Sequence, residues 1–127
     1  MKKRKKVPTD APWAETVGYC RAVRAGRRIW VSGTAAVGED GAIVSPGDAY
    51  AQAKRCLEII RDALAQLEAG PEHVVRTRMF VRDGSLWQDV GRAHGEMFAE
   101  ARPATTMVVT GFIDPDMLVE IEAEAVL

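Results

Sequence analysis

Arg102-Pro103-Ala104-Thr105-Thr106-Met107-Val108-Val109 is followed, eleven residues after Thr106, by Met117-Leu118-Val119-Glu120-Ile121-Glu122-Ala123. The two stretches read as β-strands joined by a Pro-containing turn. The second continues to Val126 with a period of two. Val119, Ile121, Ala123 and Ala125 face one way, and Glu120, Glu122 and Glu124 face the other. Such alternation belongs to a strand with one face on a core.

The same period recurs upstream from Val74 to Arg82. Val75, Thr77, Met79 and Val81 share one face, and Arg76, Arg78, Phe80 and Arg82 share the other. Asp83-Gly84 breaks this run. Leu86 to Ala101 then reads as a helix, with Trp87, Val90, His94, Met97 and Phe98 at helical spacing. Asp48 to Ala69 is the longer helix, striped by Ala49, Ala53, Cys56, Leu57, Ile60, Leu64 and Leu67. Gly70-Pro71 stops it, Gly as the left-handed cap and Pro because it cannot continue the helix.

Nearer the start, Ala22–Ala25 and Arg28–Ser32 are short strand-like runs. Gly26-Arg27 between them supplies the positive φ of a tight hairpin. Gly33 to Gly47 reads as loop, with Ile43-Val44 a short edge strand. The order β-β-(β)-α-β-α-β-β predicts an α+β domain, a mixed sheet with two helices packed on one face. The other sheet face would carry Arg76, Arg78, Phe80 and Glu120, Glu122 and Glu124. If those strands are neighbours, cross-strand ion pairs form there at about 0.2–1 kcal/mol each. With Trp30 and Phe80 on it, that face suits a subunit interface.

A chain of 127 residues is one domain. The expected division is a basic, disordered tail over residues 1–10 and a folded unit over 11–127. Net charge is −1, which gives no general attraction to nucleic acid or anionic lipid. The local exception is Lys2-Lys3-Arg4-Lys5-Lys6, read as a solvated tail. Polar Pro8-Thr9-Asp10 after it excludes a signal peptide, and no apolar run reaches the roughly 18 residues of a membrane span. Cys20 and Cys56 lack metal-ligand spacing, and Cys56 lies on the apolar helical stripe, where a free thiol behaves as a small hydrophobe. His73 and His94 form no metal motif. The expectation is a cytoplasmic protein without metal or cofactor.

Three marks carry a family resemblance: Val17-Gly18-Tyr19-Cys20-Arg21-Ala22-Val23-Arg24-Ala25-Gly26 running into Ile29-Trp30-Val31-Ser32-Gly33; Val74 to Asp83; and Pro103-Ala104 with Val119 to Ala123. In this order, from about Val17 to Leu127, they resemble the Rid family, also called YjgF-type or endoribonuclease L-PSP. The resemblance implies a chorismate-mutase-like fold and a homotrimer with sheets facing inward. It also implies a ligand cleft at each subunit boundary and hydrolysis of a small imine or enamine. It assigns Tyr19 to the family's substrate-contacting tyrosine, Gly33 to its ligand-contacting glycine, and catalytic Glu120 to the glutamate near the attacking water. Two positions depart. The carboxylate-gripping arginine corresponds to Thr105, and an asparagine of the second helix to Gly91.

Thr105 cannot pair with a carboxylate, and losing a charge-assisted bidentate contact forfeits roughly 1.5–3 kcal/mol. Arg21, two residues from Tyr19, is the candidate replacement anchor, with Arg78 and Arg102 behind it. The leading expectation is therefore an imine or enamine deaminase whose substrate is not the usual 2-iminopropanoate. A non-catalytic trimeric module binding a small molecule or partner protein is the alternative. Ribonuclease activity ranks last, because no His pair, metal cluster or basic–aromatic stripe supports it.

Overall fold

A computed structural model of the chain describes residues 3–127. Its strands are β1 (Lys5–Val7), β2 (Ala22–Ala25), β3 (Arg28–Ala35), β4 (Val74–Val81), β5 (Ala104–Val109) and β6 (Val119–Val126). Its helices are α1 (Ala14–Val17), α2 (Ala49–Gln66) and α3 (Trp87–Phe98). The sheet order is β1-β2-β3-β6-β4-β5. Every pairing is antiparallel except β4 with β5. Parallel neighbours need a crossover, and α3 supplies it.

The alternating β6 is central, between β3 and β4, with Val119, Ile121, Ala123 and Ala125 all buried. They pack against α2, where the expected stripe is buried in full: Ala49, Ala53, Cys56, Leu57, Ile60, Leu64 and Leu67. Ile60 and Ile121 are wholly enclosed, so truncating either to Ala costs about 2–5 kcal/mol. Gln52 is buried beside them. Its side-chain amide donates to Ser45 O at 3.3 Å and Asp116 O at 3.0 Å and accepts from Leu118 N–H at 2.9 Å. One polar side chain thereby ties α2 to the loop that leads into β6.

On the open sheet face the expected cross-strand pairs are present. Arg78 lies opposite Glu122, and its Nη1 reaches Glu122 at 3.2 Å and Glu124 at 3.3 Å. At this exposure such pairs contribute about 0.2–1 kcal/mol. Trp30 on β3 is 42% exposed, and Phe80 is half-buried.

Several expectations are corrected. The basic run does not lie wholly in a disordered tail. Residues 5–7 pair with β2, and Val7, the one apolar residue of the run, is buried; Met1 and Lys2 lie outside the described residues. Ile43 makes a single bridge to Val37 instead of a strand. The left-handed residue closing α2 is Glu68, φ 64°, not Gly70. It turns the chain so that Ala69 N–H bonds to Leu64 O at 2.9 Å. Val75 is exposed, because the β4/β6 register steps from Val74–Ala125 to Arg76–Glu124 and leaves it as a bulge. Trp87 is 58% exposed, not on the core side of α3.

Candidate functional site

Tyr19 leaves α1 through Gly18, whose φ of 80° closes the helix with a Gly18 N–H to Ala14 O bond of 2.7 Å. The tight exit keeps Tyr19 beside Trp13, whose indole N–H donates to the phenol oxygen at 2.8 Å. Because that oxygen already accepts, the phenol proton is left to donate outward. Arg21 follows, its guanidinium carbon 5.8 Å from the centre of the Tyr19 ring.

Arg21 is engaged with β3. Its Nη1 donates to Gly33 O at 2.7 Å and Thr34 Oγ1 at 3.0 Å, and Nη2 donates to Thr9 Oγ1 at 3.3 Å. The β3/β6 register shifts between Val31 and Thr34, so Ser32 and Gly33 form an irregularity that Arg21 holds. The missing side chain of Gly33 matters for space. A Cβ there would run into Glu120 Oε1 and stand 3.1 Å from its Cδ.

Glu120 thus sits in a niche formed by backbone. Burial raises its proton affinity above that of an ordinary carboxyl; Arg21 opposes the shift and Glu122 adds to it. Desolvation, more than the neighbouring acids, is the main cause. A half-buried carboxylate of raised affinity beside a fixed guanidinium can take a proton from water and return it.

The other two predicted positions lie elsewhere. Thr105 on β5 is opposite Thr77 on β4, and Glu120 is opposite Phe80. Residues three apart on one strand point to opposite faces. Thr105 therefore belongs to the helix face, and Glu120 to the open face. Thr105 lines a groove of about 580 Å³ between α3 and the β5 edge, together with Gly91, His94, Trp87, Met107 and others. Nothing lies within 4 Å of where a Gly91 side chain would begin.

Thr77 is wholly buried and links two partners, His94 Nε2 at 2.8 Å and Thr105 Oγ1 at 2.7 Å. Burial depresses the proton affinity of His94 and so favours its neutral ring. Tyr19, Arg21, Gly33 and Glu120 are thus gathered on one side, and Thr105 with Gly91 on the other. Trp13 and Thr77 join these sites through single hydrogen-bonding atoms that no sequence pattern marks. Helical spacing gave His94 a place on its helix but no partner.

Cys56 is buried, which pushes its thiol far above the usual range. Cys20 Sγ donates to Ala22 O at 3.4 Å. Among the described residues, no three His, Cys, Asp or Glu side chains converge as metal ligands. No helix among them is long and apolar enough to cross a membrane.

The model of the Endoribonuclease L-PSP family matches residues 9–127. The chain belongs to that family. An uncharacterized protein of Streptomyces coelicolor is 42% identical over 122 residues, 95% of this chain and 90% of that protein. The 3-aminoacrylate deaminase RutC of Acinetobacter baylyi is 33% identical over 107 residues, 84% of this chain and 85% of that enzyme. Among solved structures, a Mycobacterium tuberculosis member of the YjgF/YER057c/UK114 family superposes with a TM-score of 0.88 at 40% identity. That match covers 98% of this chain and 100% of the other. The Endoribonuclease L-PSP fold, an α+β sheet with α2 and α3 on one face, is thereby shared along the described length.

Proposed function

We propose that this protein hydrolyses the carbon–nitrogen bond of a small imine or enamine, releasing ammonia. The observation that carries the reading is Glu120, half-buried, raised in proton affinity and seated against Gly33 under Arg21. Protonation of an enamine at carbon by solvent gives the iminium. Water then adds to the iminium carbon while Glu120 takes the proton that water loses. The carbinolamine that forms expels ammonia as Glu120 returns that proton to nitrogen, and loss of the remaining hydroxyl proton to solvent leaves a carbonyl. The Tyr19 hydroxyl donates a hydrogen bond to the bound substrate. Arg21 holds the Gly33 irregularity instead of gripping a carboxylate, because its Nη1 is already bonded to Gly33 O and Thr34 Oγ1. The likeness to a 3-aminoacrylate deaminase supports this reaction class.

The cleft requires a second copy. Glu120 and Thr105 occupy opposite faces of one sheet, so only a neighbouring subunit can bring the second half-site against the first. The assembly that the resemblance implies, a homotrimer with open faces inward, is the proposed arrangement, and the exposed Trp30 on that face supports burial there.

The test is ammonia release from 2-aminoacrylate and 3-aminoacrylate, and from their amides, by wild type and Glu120→Ala, with the mass read by light scattering. Turnover abolished by Glu120→Ala, in a particle of three subunits, is the expected result. A monomer, or turnover indifferent to Glu120, would refute it. The competing reading is a binding module without turnover, favoured by the uncharged Thr105 and Gly91 where catalytic relatives by resemblance carry arginine and asparagine. Ribonuclease activity has less support. His73 Nδ1 accepts from Gly70 N–H in the turn before β4 at 3.1 Å, whereas His94 sits on α3, so the two share no site.

A further inference from the structure

The groove between α3 and β5 has apolar walls, Met79, Val81, Trp87, Met107 and Val109 among them. No charged residue lines it. Its polar end is a chain of three groups: His94 Nε2, Thr77 Oγ1 and Thr105 Oγ1, linked at 2.8 and 2.7 Å. Its middle link is its most buried: Thr77 is 0% exposed and His94 8%, whereas Thr105, at the outer end, is open to solvent.

Each hydroxyl has one proton and can both give and accept. In one arrangement, His94 Nε2–H donates to Thr77, Thr77 donates to Thr105, and Thr105 presents its proton to the groove. In the other, the imidazole carries its proton on Nδ1, Thr105 donates inward, and its oxygen faces the groove as an acceptor. Thr77 gives one bond and takes one in both, so the buried hydroxyl is satisfied either way. The outer end can therefore match a carbonyl or an N–H but supplies no charge. A carboxylate entering this groove would lose its water without gaining a cation from any residue that lines it, whereas an amide would gain a partner.

We propose that the groove binds an uncharged ligand with an apolar body and one carbonyl or amide group bonded to Thr105, and that the tautomer of His94 switches to suit it. Resting on the deaminase reading, this names the substrate class. It is an imine or enamine whose carboxyl is absent or masked as an amide.

The chain has two histidines, so the ring nitrogens of ¹⁵N-histidine-labelled full-length protein can be followed during titration with phenylacetamide and phenylacetate, one body with and without the charge. The expected result is that the amide binds at least about tenfold more tightly and moves the His94 signals while those of His73 stay. Thr105→Val should weaken the amide about tenfold, the loss of one hydrogen bond, and Thr105→Ser should restore it. Thr77→Val should leave His94 silent to the ligand. Equal binding of acid and amide, or amide affinity unchanged by Thr105→Val, overturns the proposal. The two readings fail separately. Selective amide binding with no turnover of any enamine keeps the groove and rejects the deaminase. Turnover of aminoacrylates without amide selection does the reverse.

Discussion

Gly33→Ala probes the niche of Glu120 with one carbon atom. The new Cβ would stand 3.1 Å from Glu120 Cδ and closer to Oε1. Carbon atoms rest at roughly 3.5–4.0 Å, so the carboxylate must retreat by about 0.4–0.9 Å. Displacements near 1 Å cost about a hundredfold in rate when a reacting group is involved; kcat for ammonia release should therefore fall by about ten- to a hundredfold. Stability should barely change. Gly33 is not among the glycines of positive φ, so alanine meets no backbone strain. The clash falls on the end of a side chain that can swing aside, and Gly→Ala at a permitted conformation gains about 0.4–1 kcal/mol through the unfolded chain. The assay pairs steady-state ammonia release with thermal unfolding of the same preparation. Full activity in a well-folded Gly33→Ala protein would refute the placement of Glu120 in the reaction. A large drop in melting temperature would refute the claim that only the carboxylate yields.

Three further outcomes follow from burial. Glu120 has a folded proton affinity above its unfolded one, so its stabilising contribution exists at low pH and is lost as pH rises through the folded value. Glu120→Gln should thus melt above wild type at neutral pH, and the gap should close below about pH 4.5, the ordinary carboxyl value. His94 shows the opposite sign: its contribution is full above the ordinary value of 6.5 and is lost as pH falls through the depressed folded value. Urea midpoints of His94→Gln should accordingly depend less on pH on the acid side of 6.5 than those of wild type. A maleimide dye should label Cys20 in the native protein and Cys56 only on unfolding, since Cys56 is 0% exposed; mass spectrometry of the labelled peptides checks this.

The features legible in the sequence are those that repeat along the chain. Alternation at Val119–Ala125 and the stripe from Ala49 to Leu67 identified the central strand and the main helix, because burial of one face imposes its period on the residues. Single-residue events escaped. Val75 alternates faultlessly in the sequence, yet a bulge turns it outward, and the irregularity at Ser32-Gly33 leaves the glycine as its only trace. β1 was hidden because its one apolar residue, Val7, ends a run of lysines and arginine. At the site, Tyr19 and Glu120 came from the resemblance, but their placement opposite Thr105 depends on sheet faces. The link from Thr105 to His94 depends on the parallel register of β4 and β5, which no local pattern encodes.

The central position of β6 governs the order of assembly. β3 and β4 both precede it in the chain, and each pairs with it along one edge. Until residues 119–126 have been added, neither the β2–β3 hairpin nor the β4–α3–β5 unit can pair its inner edge. Contacts as remote as Arg28 with Val126 make closure slow, since distant pairing carries a loop entropy that local contacts do not. Until then the nascent chain presents two unsatisfied strand edges, the kind of surface on which copies stick to one another. The strand that carries Glu120 is thus also the bolt of the fold. Core substitutions on its buried face, at Val119, Ile121, Ala123 or Ala125, therefore threaten both edges at once.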